Sequence, residues 1–178
     1  MKISQFVRSG TMELDTQNDI IRIKETGQSI FYTDLQKIEQ WGTIYEKFVG
    51  QVYEREGCKV IYRMVLGFND AGVDLECEND EEIIYVQCKF ISGKASPGKA
   101  YDILRKARNF LNKQASNKVM KFVVVTPDKE INFRQKKGGK YKDGFGNHLN
   151  YPFITALETY PLLQSKIKIS YREIRMDI

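Results

Sequence analysis

Residues 72–90 read GVDLECENDEEIIYVQCKF. The stretch predicts two strands, with Asp74 on the first and Gln87 and Lys89, two positions apart, on the second. Side chains alternate across a strand, so Gln87 and Lys89 face the same way, and a hairpin partner sets Asp74 beside them. A carboxylate, an amide oxygen and an ammonium then converge on one point. The run Tyr85-Val86-Gln87-Cys88-Lys89 is otherwise apolar and is expected to be buried. A buried amide or lysine needs a partner, which ties the polar members to one another.

This combination has a chemical use. A carboxylate and a second oxygen ligand hold a hard cation such as Mg2+ or Mn2+, which keeps several waters and accepts a phosphate oxygen. The cation polarises a phosphoryl group and acidifies a water, while a lysine stabilises the developing charge. Taken singly, the same residues have plainer roles. An Asp that follows a Gly is a common turn residue, and Asp70 in Asn69-Asp70-Ala71-Gly72 is read as one rather than as a ligand. Lys89 alone would be a surface lysine at a strand end.

Upstream, residues 43–57 (TIYEKFVGQVYEREG) place Tyr45, Phe48, Val49 and Val52 at helical spacing, with Gly57 as a stop. Glu46 then falls in the first turn. Thr43-Ile44-Tyr45-Glu46 fits a capping box, in which the glutamate reaches back to the N-cap amide. A place beside a metal ion is the other role open to Glu46, and the two are compatible.

The order Tyr45-Glu46-Lys47-Phe48, Glu56-Gly57-Cys58-Lys59-Val60, Gly72-Val73-Asp74-Leu75 and Gln87-Cys88-Lys89 resembles the catalytic domain of Mrr-type restriction endonucleases, a branch of the PD-(D/E)xK nuclease superfamily. The likeness covers about fifty residues closely, from Trp41 to Phe90, and about ninety in outline. It implies Asp74 as the main metal ligand, Gln87 at the position held by Glu in most of the superfamily, and Lys89 as the catalytic lysine. Glu46 matches the helix glutamate that holds a water or a second ion in many members. Mrr-like proteins commonly carry glutamine where Gln87 stands, and a neutral ligand there lowers metal affinity relative to Glu. The Cys88 backbone carbonyl is a further candidate ligand.

The fold expected on this basis is a mixed α/β (α+β) one. Its restriction-endonuclease-like core runs helix, three strands, helix, strand, as a single nuclease-like domain. Residues 1–33 would form an N-terminal β meander, 34–127 the catalytic core, and 128–178 a basic loop and C-terminal extension. The meander is read from TMELD, DIIRIKE and QSIFYT, separated by Gln17-Asn18-Asp19 and Thr26-Gly27-Gln28. Thr33-Asp34-Leu35-Gln36 offers a second capping box for a short helix to about Gln40, with Gly42 separating it from the Glu46 helix. After the loop ISGKASPGKA, a helix from about Lys99 to Gln114 shows the stripe Tyr101, Leu104, Ala107, Phe110 and Leu111. Val119 to Thr126 is continuously apolar, as a central strand with a parallel neighbour should be. Pro152 to Leu163 suggests another helix, and Lys166 to Ile174 alternates as a last strand.

The 178 residues suffice for one domain with a sizeable core, and 42% hydrophobic with 29% charged residues is an ordinary globular balance. A formal net charge of +5 favours an acidic partner, of which nucleic acid is the commonest. Lys94 and Lys99 flank the loop after the proposed site and are candidates for phosphate contact. Residues 129–148 interleave Lys136, Lys137, Lys140 and Lys142 with Phe133, Tyr141 and Phe145. That pattern suits either a strap over a nucleic-acid backbone or a plain surface loop. Cys58, Cys77, Cys88 and the single His148 lack zinc spacing, and the three cysteines read as reduced core residues of a cytoplasmic protein. No apolar run approaches the ~20 residues of a membrane span, and MKISQFVRSG has no signal-peptide core.

These readings converge on a metal-dependent DNA endonuclease of restriction or defence type. Two alternatives stand beside it: a nuclease-fold protein that binds DNA with weak or no cleavage, and an interaction protein with no nucleic-acid partner. A homodimer and a specificity partner protein are left open.

Overall fold

The structure, a computed structural model, describes residues 2–63, 71–91, 97–128 and 166–178, and within these the side chains of 97–102 and 104 are left out. The chain opens with helix α1 (Ile3–Arg8), which sequence pattern did not announce. Phe6 and Val7 are fully buried, and Ser9 closes the helix by donating its N–H and its hydroxyl to the Phe6 carbonyl. The meander then forms as expected, with antiparallel β1 (Met12–Asp15), β2 (Ile20–Ile23) and β3 (Ser29–Phe31). Its first turn is held by the Asp15 carboxylate, which accepts from the Gln17 and Asn18 N–H groups, and Asp19 completes it at φ 54°.

Helix α2 (Ile38–Arg55) corrects the sequence reading. It runs unbroken through Gly42, so neither a separate helix ending near Gln40 nor a start at Thr43 exists. A helical glycine costs about 1 kcal/mol, which the burial of Ile44, Tyr45, Val49 and Tyr53 outweighs. Thr43 donates its hydroxyl to the Glu39 carbonyl, the habit of a mid-helix threonine, and Glu46 therefore caps nothing. The reach back to the N-cap amide belongs instead to Gln40, whose Oε1 accepts from the Lys37 N–H at 3.0 Å. Thr33 lies in a 3-10 turn, Tyr32–Asp34, where Asp34 bonds the Phe31 N–H.

The main sheet has five strands in the order β4 (Lys59–Tyr62), β5 (Leu75–Glu78), β6 (Glu82–Cys88), β7 (Val119–Thr126) and β8 (Lys168–Glu173). β5 runs antiparallel to both β4 and β6, and β6, β7 and β8 run parallel. Parallel pairing needs a crossover, supplied between β6 and β7 by helix α3 (Pro97–Asn112). As expected, β7 is a central strand, buried from Phe122 to Thr126 except for a sliver of Val123. The fold is therefore mixed α/β, with a three-stranded antiparallel sheet and a five-stranded mixed one.

Two cores result. On one side of the main sheet α2, the meander and α1 pack on Leu75, Cys77, Ile84, Val86 and Cys88. On the other, Ile103, Ala107 and Leu111 of α3 pack on Val73, Tyr85, Phe122 and Val124. Ile103 belongs to the apolar stripe of α3 although the sequence reading omitted it. Among the described residues no helix is long and apolar enough to cross a membrane.

Candidate functional site

Gly72, two residues before Asp74, sets the geometry of the site. It sits at φ 79°, and a β-carbon there would lie 2.6 Å from the Ala107 backbone nitrogen of α3. Only glycine combines that backbone turn with that close approach. The chain then passes through fully buried Val73 to Asp74, one residue ahead of β5 rather than on it.

The row Tyr62–Leu75–Val86 is paired across β4, β5 and β6. One step on, Arg63 stands beside Asp74, and Gln87 reaches Asp74 through its side chain. The Arg63 N–H donates to the Asp74 carbonyl at 2.9 Å, and the Asp74 N–H to the Val86 carbonyl at 2.8 Å. Asp74 is 3% exposed and Gln87 5%. A buried carboxylate is tolerated only when bonded, and here Oδ2 accepts from Gln87 Nε2 at 2.8 Å and from the Cys88 N–H at 2.7 Å. The same Nε2 donates to the Cys88 carbonyl at 3.2 Å.

Lys89 lies just beyond the last residue of β6, and its N–H donates to the Val125 carbonyl at 2.8 Å. Its position is fixed by its neighbour. Phe90 stacks on Trp41 and tilts against Tyr45, with ring centroids 6.2 and 5.3 Å apart, and Tyr32 meets Trp41 edge-on. This aromatic cluster clamps the chain after Lys89 to α2. Glu46, next to Tyr45, sits mid-helix rather than in a first turn.

Alternation along β6 sends Val86 and Cys88 toward α2, and Tyr85 and Gln87 toward α3. The site thus straddles the C-terminal end of β6. The Cys88 thiol is buried in the α2-side core. Burial pushes its pKa well up, the charges of Asp74, Glu46 and Cys77 push it further, and Lys89 pulls the other way. Asp74 and Gln87 are thus in direct contact and Lys89 follows one residue beyond the same strand, while Glu46 lies on α2, which packs on the opposite face of the sheet.

The other expectations lie outside the description. Lys94, Lys136, Lys137, Lys140, Lys142 and residues 152–163 fall outside the described residues, as does the side chain of Lys99. Among the described residues no group of three or more His, Cys, Asp or Glu side chains could hold a metal ion. The donor set that would hold Mg2+ or Mn2+ is the Asp74 carboxylate, the Gln87 amide oxygen and the Cys88 carbonyl, all hard oxygens of the type such ions take. The residue types fit. The amide is turned the other way, with its NH2 against Asp74 and Cys88, and it must present Oε1 to serve as a ligand.

Sequence reasoning missed Arg63, Trp41 and Phe90. No motif marks them, because their place beside Asp74 and Lys89 comes from cross-strand register and from packing against α2.

Compared with known proteins, the chain matches no family model, no curated protein and no solved structure.

Proposed function

We propose that this protein is a metal-dependent DNA endonuclease of restriction or defence type. The observation that carries the reading is the buried Asp74 carboxylate, held by the Gln87 amide and the Cys88 N–H at the strand end that also bears Lys89. The order α2, β4, β5, β6, α3, β7 supports it, being the helix, three strands, helix, strand of the core expected from sequence. The net charge of +5 suits a polyanionic substrate.

Asp74, Gln87 and the Cys88 carbonyl would hold Mg2+ or Mn2+. When bound, such an ion supplies Lewis-acid polarisation of a phosphoryl oxygen and a water of lowered pKa. The remaining work falls to the chain. The Cys88 N–H fixes the Asp74 carboxylate, so its oxygens need no reorganisation. The Lys89 ammonium stabilises charge that builds on the non-bridging phosphoryl oxygens during in-line attack. Glu46 orients a water by accepting its hydrogen bond.

Supercoiled plasmid incubated with Mg2+, with Mn2+ or with EDTA tests the reading. Cleavage is expected in the metal arms only, falling by about 100-fold or more in Lys89→Ala and Asp74→Ala. Folded variants that cut as fast as the parent would remove the site assignment.

A second reading is favoured by one specific observation. The Gln87 NH2, not its oxygen, faces Asp74 and the Cys88 carbonyl, so the carboxylate is already satisfied without an ion. That arrangement suits a nuclease-fold protein that binds DNA without cutting it. Salt-dependent DNA binding unaffected by EDTA, with no products in any metal, would establish it.

A further inference from the structure

We propose that Arg63 is a phosphate-binding residue of the same site, placed on the far side of Asp74 from Gln87 and Lys89. The inference rests on the nuclease-fold reading and adds a residue to it.

Three observations lead to it. The first is register: Tyr62 pairs with Leu75, and one step on the Arg63 N–H bonds the Asp74 carbonyl at 2.9 Å, which sets Arg63 beside Asp74. Side chains directly opposite on antiparallel strands lie about 5 Å apart at Cβ. The second is direction. The guanidinium carbon stands 4.4 Å from the Phe110 ring centroid of α3, so Arg63 points to the side of the sheet that alternation assigns to Gln87. The third is preorganisation. Glu76, two residues after Asp74 on the same face, takes Nη1 at 2.7 Å, and the Arg63 side chain is only 14% exposed. An edge held by a carboxylate and a face held by a ring fix the plane of a guanidinium, which is how an arginine is made ready for a phosphate at low entropic cost.

The charge pattern agrees. Arg63 follows β4 and Lys89 follows β6, on the two strands that flank β5, so the chain carries a cationic residue at the strand end on each side of Asp74. A structural ion pair alone would have no need of that place, since Arg63–Glu76 could sit anywhere on the sheet.

The test is the salt dependence of binding to a short labelled DNA duplex in EDTA, where cleavage is absent. Arg63→Gln strands Glu76 in a half-buried position and can unfold the protein, so the double variant Arg63→Gln, Glu76→Gln is measured beside it. With thermal unfolding confirming a folded protein, the double variant should bind about tenfold more weakly. Its plot of log affinity against log salt should be shallower by about 0.9, one phosphate contact. Arg63→Lys should keep the wild-type slope. A folded double variant with the wild-type slope would overturn the proposal and leave Arg63 a structural residue. Wild-type protein that shows no salt-dependent binding would overturn it too, together with the nuclease-fold reading, and that arm separates the two failures.

Discussion

At the residue scale, the site turns on what Gln87 offers Asp74. As an amide it donates, and its NH2 hydrogen-bonds a carboxyl group that has almost no access to water. Gln87→Glu replaces that donor with a second anion. In the absence of metal, the variant should be less stable than the parent by about 2 kcal/mol, because two buried carboxylates repel and a hydrogen bond is lost. Mg2+ or Mn2+ should recover that loss and raise the melting temperature more than it does for the parent. Thermal unfolding with and without each ion checks this, and equal responses in the two proteins would exclude an ion between positions 74 and 87. The residue types and their spacing were legible in the sequence: Asp74 and Gln87 were singled out, and their side chains are hydrogen-bonded. The orientation of the amide was not, since it depends on which acceptors lie within reach of Nε2.

At the element scale, the strand ends are held where they are by helices. Gly72 lets the chain graze the backbone of α3 before it enters β5, and this sets the depth at which Asp74 sits. Gly72→Ala should cost about 3 kcal/mol, from a side chain at positive φ and from a clash with backbone that cannot rotate away. Equilibrium denaturation measures it, and a loss under about 1 kcal/mol would mean that α3 yields. Alternation and turn chemistry made the meander readable, because β1, β2 and β3 are specified by neighbours in sequence. The start of α2 was misread for the opposite reason. Thr43 and Glu46 form a good local cap, but the tertiary core rewards the turns before them, and Ile38 to Gly42 join the helix. Helix α1 left no periodic trace at six residues, and only the burial of Phe6 and Val7 reveals why it forms.

At the scale of the whole molecule, one core joins the meander, α2, the main sheet and the C-terminal Ile174 and Met176. Tyr45 reinforces it by donating its hydroxyl to the Ile174 carbonyl at 2.7 Å. Several of the groups in and around this core are acids held neutral by burial. Burial pushes Tyr45, Tyr62, Cys77 and Cys88 well up, and it pushes Tyr53 to about 12 against the opposing pull of Arg172. An unfolded chain would release these protons near the ordinary thiol value of 9.0 and phenol value of 10.0. The folded chain keeps them, so the unfolded state binds fewer protons and stability falls as pH rises. The contribution is whole below about pH 8 and is lost progressively above about pH 9. Urea unfolding followed by fluorescence of the single Trp41 and by far-UV circular dichroism tests this. The two probes should coincide, given the shared core, and the midpoint should drop on the alkaline side. A midpoint constant up to about pH 10 would contradict the assigned burial.

The sequence by itself determined the secondary structure of the meander, the apolar central strand β7, the helix between β6 and β7, and the residue types at positions 74 and 87. Each of these depends on spacing along the chain, which periodicity and turn chemistry record. Tertiary structure alone decided that Gln87 turns its donor toward Asp74 and that Arg63 stands beside Asp74. Those relations are set by cross-strand register and by which helix covers which face. They are properties of elements distant in sequence that satisfy one another only when the sheet is assembled.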